Sequence, residues 1–179
     1  MSDIDPTRLR RELLIEQGIE RQLDTLVHQA NQTASKLQDN PRMEESQLRN
    51  LLNAAIESRS IEVVINFIRY QIARNGSAWG TALDSFGHTV IYDLNKHLPI
   101  WLKKVLTSVG EQPDAPEIQL PEREQIAVRL MQLYLGYLNR AFYYGKKTGD
   151  FAGLGRINNA TLAAQQSTNT TPKESAHAT

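Results

Sequence analysis

The sequence predicts an all-α protein, a compact bundle of about five to six helices with a flexible C-terminal tail. Two observations carry this expectation. Apolar residues recur at three- and four-residue spacing in stretches long enough for helices, and no segment shows the apolar–polar alternation of a half-buried strand. Turn-forming residues then punctuate the chain at helix-length intervals, at Asp39-Asn40-Pro41, at Asn75-Gly76 and over 110–116.

The first helix is expected over residues 7–37, where Leu9, Leu13, Ile19, Leu23, Leu26, Ala30, Ala34 and Leu37 share helical spacing. Arg8, Arg11, Glu12, Glu16, Glu20 and Arg21 alternate in sign around them, the pattern of a solvated face. A helical hairpin follows over 46–74. Leu48, Leu51, Leu52, Ala55 and Ile56 line its first arm, and Ser58-Arg59-Ser60 makes a short break. The second arm carries two apolar stripes. One holds Ile61, Val64, Ile65, Ile68 and Ile72; beside it run Val63, Phe67, Tyr70 and Arg74. An arm apolar over more than half its girth is expected to be central and covered on two sides, with Asn75-Gly76 supplying a left-handed stop.

Between 75 and 121 the pattern is interrupted by Gly76, Gly80 and Gly87. It then resumes in Val90, Ile91, Leu94 and Leu98 as far as Pro99, which kinks a helix or starts a new one. Ile100, Trp101, Val105 and Leu106 continue it. The last helix opens at Pro121 with Glu122 and Glu124 suited to its positive end. Ile126, Leu130, Leu133, Tyr137, Ala141 and Tyr144 are expected to be buried, with Arg129, Gln132, Gly136, Arg140, Tyr143 and Lys147 opposite them. From Gly149 the composition turns to Gly, Asn, Thr, Ala and Ser, which cannot repay the entropy of ordering. One helical domain over 1–148 and a low-complexity tail over 149–179 is the expected division.

Composition narrows the function classes. Twenty basic and twenty acidic residues cancel, so any nucleic-acid or anionic site must be local. The absence of cysteine excludes disulfides, cysteine metal sites and thiol nucleophiles. The start of the chain, with Asp3, Asp5 and Pro6, does not read as a secretory signal, and no run suits a membrane span, so a cytoplasmic protein is expected.

Chemistry is sparse. His28, His88, His97 and His177 lie far apart and lack a metal-ligand spacing such as H-E-x-x-H. The glycines around Trp79 lack the lysine of a phosphate loop. Asp84, Ser85 and His88 are close in sequence, which is poor grounds for a nucleophile–base pair. No catalytic residue, metal or cofactor is expected. An enzyme built on His88 or His97 would require one of them to meet an acid in a pocket.

The basic residues are more informative. Arg129, Arg140, Lys146 and Lys147 accompany Tyr143 on the last helix, and Arg49, Arg59, Arg69 and Arg74 stand on the hairpin with few acids between them. Guanidinium and ammonium groups beside tyrosine suit phosphate contact and base stacking. A solvated helix carries such residues in any case, so the face alone does not decide.

Three pieces of the chain resemble, in order, the small subunit of type III CRISPR effector complexes of the Csm type. SQLRNLLNAA (46–55) is similar to that family's T/S-x-(I/L)-R-x-(L/F)-L helix, and YQIAR (70–74) to its Y-Q-x-G-R element, with Ala73 at the family's glycine. LMQLYLGYLNRAFYYGKK (130–147) resembles its aromatic, lysine-ending last helix. YDLNKHLPIWL (92–102) is in turn similar to the Cmr-type small subunit. The resemblance implies a non-catalytic helical subunit, stacked in several copies beside the backbone and large subunits. Such a subunit touches the backbone of guide and target RNA. On this reading Arg49, Arg74, Arg140, Lys146 and Lys147, which lie in the family-like motifs, are candidate RNA-binding residues, and Arg69 and Arg129 join them from the basic helix faces. For Arg49 a structural role, pairing with Glu57 or another acid, stands equally open. The other reading is a free-standing helical adaptor that binds a protein partner and no nucleic acid.

Overall fold

A computed structural model describes residues 5–40, 42–111 and 117–155. Among them the chain is all-α: α1 (Pro6–Glu20), α2 (Leu23–Ser35), α3 (Glu45–Ser58), α4 (Ile61–Arg74), α5 (Gly76–Trp79), α6 (Phe86–Tyr92), a π-helical turn (Asp93–His97), α7 (Leu98–Gly110) and α8 (Leu120–Thr148). The bundle has more segments than the periodicity predicts. Arg21 and Gln22 split the first predicted helix in two, and α5 and α6 are too short to carry a periodic signal of their own.

The long α8 is the central element, packed against α2, α3 and α7, while α1 lies on α7. Its core face is Ile126, Leu130, Met131, Tyr134, Leu135, Leu138 and Phe142, all buried. The expected buried stripe drifts from this one along the helix. Tyr137 is only partly covered, and Tyr144 is exposed. The expectation that α4 is central is also corrected. Its Val64, Ile65 and Ile68 are buried and Phe67 packs partly against the core, but Val63 is 51 % and Tyr70 54 % exposed, because α4 packs mainly on α3, α5 and α6 and leaves those two outward. Leu9 and Leu13 are likewise exposed on α1.

Local chemistry explains the boundaries. Asp5 accepts from the Thr7 N–H ahead of Pro6, and Glu44 with Gln47 forms a reciprocal capping box at the start of α3. The left-handed residue expected at Asn75-Gly76 is not there; Asn75 sits at φ −138°, and Gly76 begins α5. Positive φ falls instead on Arg59 (49°), Gly80 (79°) and Gly149 (74°). At Gly80 a side chain would also collide with Ser85. Gly18 permits the close approach of α1 and α7, since a β-carbon there would lie 2.9 Å from Ser108 Oγ.

Residues 75–110 are integral to the core, contributing Trp79, Phe86, Val90, Leu94, Leu98, Trp101, Val105 and Val109. Pro99 sits in the first turn of α7, as its missing N–H allows. The wide turn before it absorbs the clash its ring would make with a preceding carbonyl. That turn carries Asp93 into the core at 0 % exposure. Four donors meet its carboxylate: Gln29 Nε2 (3.0 Å), Thr33 Oγ1 (2.6 Å), the Tyr134 hydroxyl (2.5 Å) and His97 Nδ1 (2.9 Å).

The ordered fold passes the boundary expected at 148. Gly149 ends α8, and a helical turn over 151–155 buries Phe151 and Leu154, with the Phe151 ring 6.0 Å from that of Phe142. The rest of the expected tail, 156–179, lies outside the described residues, as does His177.

Candidate nucleic-acid interface

The α3–α8 pair brings basic residues of the hairpin and the last helix to one face. The two helices run antiparallel. Gln132 Nε2 donates to the Ala55 carbonyl at 3.1 Å near one end, and Lys147 pairs with Glu45 at 3.1 Å near the other. Between them lies a shallow cleft of 280 Å³ whose floor includes Leu52, Ile56, Leu133 and Gly136. Arg129 and Arg140 stand at its two ends with Tyr137 between. Eleven residues separate these arginines, so they share one face about 16 Å apart along the axis. Toward the N-terminus of α8 the cleft continues into a second of 530 Å³, where Arg59 and Arg129 are joined by Glu124.

Arg49 belongs to this face. It is exposed and lies on the same helical stripe as Leu52 and Ile56, between the two α3–α8 ties. It makes no ion pair among the described residues, and the pairing with Glu57 is not formed; the two lie eight residues apart along one helix. Arg140 spreads its guanidinium over the Tyr137 ring at 5.5 Å. Ile56, part of that floor, is 52 % exposed, so the cleft is open to solvent.

The other candidates lie elsewhere. Lys146 Nζ donates to the Met43 carbonyl at 2.9 Å and approaches Glu44 at 3.7 Å. Lys147 is engaged by Glu45, whose hydrogen bond and charge raise the lysine pKa, and sits 5.2 Å from the centre of the Tyr143 ring. These two lysines therefore clamp the end of α8 to the start of α3, and their charge is locally balanced. Arg69 and Arg74 are exposed on α4, outside the cleft, and Arg74 Nη1 donates to the Tyr70 hydroxyl at 3.2 Å over its ring. The seven predicted residues thus divide into Arg49, Arg129 and Arg140 on one face, a lysine clamp, and a separate α4 pair.

Sequence reasoning placed Tyr137 in the core and left Arg59 out of the site. The eleven-residue recurrence of Arg129 and Arg140 was the available signal for a shared face. Arg59 stands among the basic residues of the hairpin, but outside the family-like motifs, and its position at the hairpin break would ordinarily suit glycine.

The histidines were the remaining candidates for chemistry. His97 does meet an acid, Asp93, but that carboxylate is sealed in the core and shared with three other donors. Ser85 Oγ lies 3.3 Å from His88 Nδ1, with the hydroxyl at the start of α6. Among the described residues Asp84 takes part through its backbone carbonyl, which accepts from Lys36 and Thr89. Among the described residues no group of three or more His, Asp or Glu side chains is placed to hold a metal ion. No helix among them is long and apolar enough to cross a membrane.

Comparison of the chain with protein-family models, with curated proteins and with solved structures finds no match.

Proposed function

We propose that this protein is a non-catalytic small subunit of a type III CRISPR RNA-guided effector complex, acting in the cytoplasm in antiviral defence. Several copies stack along the filament and hold the backbone of guide and target RNA. The observation that supports it most is that Arg129 and Arg140 line one α3–α8 cleft that has no acid in its lining, with Arg49 on the same stripe of α3 as the cleft's Leu52 and Ile56. Backbone recognition needs cations along a surface, and base pairing between guide and target does the sequence reading. A chain of zero net charge suits this task, since repetition of a weak local site along a filament supplies avidity.

The adaptor reading draws on a different observation, the exposed Val63 and Tyr70 on α4. Isolation of the tagged protein from its own cells separates the two. The effector reading expects a large assembly holding several copies of this chain, larger subunits and a guide RNA of defined length. Recovery as an RNA-free monomer or dimer, alone or with one protein partner, would overturn it.

A further inference from the structure

We infer that the α3–α8 cleft is a seat for one unpaired nucleobase, so that this face contacts single-stranded RNA through a base as well as through phosphates. The inference rests on the RNA-binding reading above and specifies what its central cleft holds. A surface for phosphates alone needs only exposed cations, and here the cations flank a recess with an apolar floor. Leu52, Ile56 and Leu133 supply that floor, and at Gly136 a β-carbon would meet nothing within 4 Å, so the space above the helix is open. At 280 Å³ the recess falls just under the ~300–1,000 Å³ of sites that take whole drug-sized ligands. One planar ring system is the occupant that matches.

The wall is built for stacking. Tyr137 lies beneath the Arg140 guanidinium, and bases stack on both tyrosine rings and guanidinium planes. Gln132 is the polar group at the edge. Its amide nitrogen is committed to the Ala55 carbonyl, which orients the side chain and leaves Oε1 as a hydrogen-bond acceptor. A single acceptor beside a stacking wall tolerates several bases. Arg129, three turns away, supplies a phosphate contact at a distance of a few nucleotides along an extended strand. The charge decides against an apolar peptide as occupant: the cleft carries two arginines and no acid.

The test uses the full-length protein and a short oligouridylate carrying one central 2-aminopurine. A Gly136→Leu variant fills the recess without touching an arginine, and leucine suits a helix interior better than glycine, so the fold is retained. Tyr137→Leu serves as a second variant that removes the stacking wall. The expected result is a fluorescence change of the probe on binding to the native protein, lost in both variants. Affinity should fall about tenfold, as for one lost base stack, with the salt dependence unchanged. Arginine-dependent RNA binding that is indifferent to both variants, and equal for an oligonucleotide abasic at the central position, would overturn the base seat and leave the backbone reading intact. Failure of the native protein to bind the probe at low salt would overturn both.

Discussion

The Tyr134 hydroxyl donates to the buried Asp93 carboxylate at 2.5 Å, joining the middle of α8 to the π-helical turn. Thr33 and Gln29 bring α2 to the same carboxylate, and Trp101 of α7 packs 5.4 Å from the Tyr134 ring. One polar knot therefore fixes the register of the central helix against two neighbours. Removal of Asp93 leaves several buried donors without an acceptor. Asp93→Ala is expected to cost about 3 kcal/mol or more, and Tyr134→Phe, which deletes one donor, about 2 kcal/mol. Urea unfolding followed by circular dichroism measures both.

The same contact sets an alkaline limit. Burial first, and then the Asp93 charge, push the Tyr134 hydroxyl well above the usual tyrosine range. A group raised in the folded state contributes stability that is complete below its unfolded value of about 10 and is lost as pH rises beyond it. Stability should fall progressively above pH ~10 in the native protein and more gently in Tyr134→Phe. Denaturant midpoints across an alkaline series test the difference.

At the acid end the relevant pair is Arg11 and Glu122. Arg11 Nη1 donates to Glu122 Oε1 at 3.0 Å and holds α1 against the start of α8, while the Gln119 N–H binds the other carboxylate oxygen at 3.1 Å. The Arg11 hydrogen bond, then that from the Gln119 backbone, lowers the Glu122 pKa below its ordinary 4.5. The stabilisation is thus present above that ordinary value and disappears as pH falls through the lowered one. Arg11→Ala should destabilise by about 1 kcal/mol at neutral pH and show a smaller loss on acidification, read from denaturation midpoints at pH 7 and below 4.

Arg59 is the strained residue of the hairpin. It holds φ 49° at the end of α3, a region that costs a residue with a β-carbon about 1 kcal/mol. Its side chain lines the α3–α8 cleft system and makes no ion pair among the described residues. Arg59→Gly is expected to stabilise the protein by about 0.5–1 kcal/mol while weakening RNA binding. A melt and a binding titration on the same preparation check both halves, and unchanged RNA affinity would remove Arg59 from the interface.

How far the fold is legible in the sequence differs by element. The α3–α4 hairpin and α8 stand out because their apolar residues repeat over several turns. The centrality of α4 does not follow from its apolar girth, because periodicity reports which faces are apolar and not which of them finds a neighbour. Asp93 is invisible for a related reason: a lone acid within a helical pattern reads as solvated, although its i+3 spacing from Val90 puts it on the buried face. The helical turn over 151–155 is not legible because Phe151 and Leu154 sit in a run of small residues too short to show a period. A chain ending at 148 is expected to be about 3 kcal/mol less stable than one ending at 155, the scale of losing one buried aromatic; thermal or urea unfolding of the two decides this.

Among the candidate site residues, residue type on the hairpin and the last helix is what singles out Arg49, Arg129 and Arg140. The pairing of Lys146 with the Met43 carbonyl and Glu44, and of Lys147 with Glu45, depends on the antiparallel pairing of α3 and α8. No local pattern in the sequence encodes that pairing.

The central claim is that the α3–α8 arginines hold RNA phosphates. The most direct measurement is single-stranded RNA affinity over a salt series for the native protein, an Arg129→Ala/Arg140→Ala variant and a Lys146→Ala/Lys147→Ala variant. Loss of two phosphate contacts should lower affinity and reduce the slope of log K against log salt by about 1.4 in the arginine variant. The lysine variant should change the slope little, because its charges are already paired within the fold. A native slope retained in the arginine variant, or a larger loss in the lysine variant, would contradict the account.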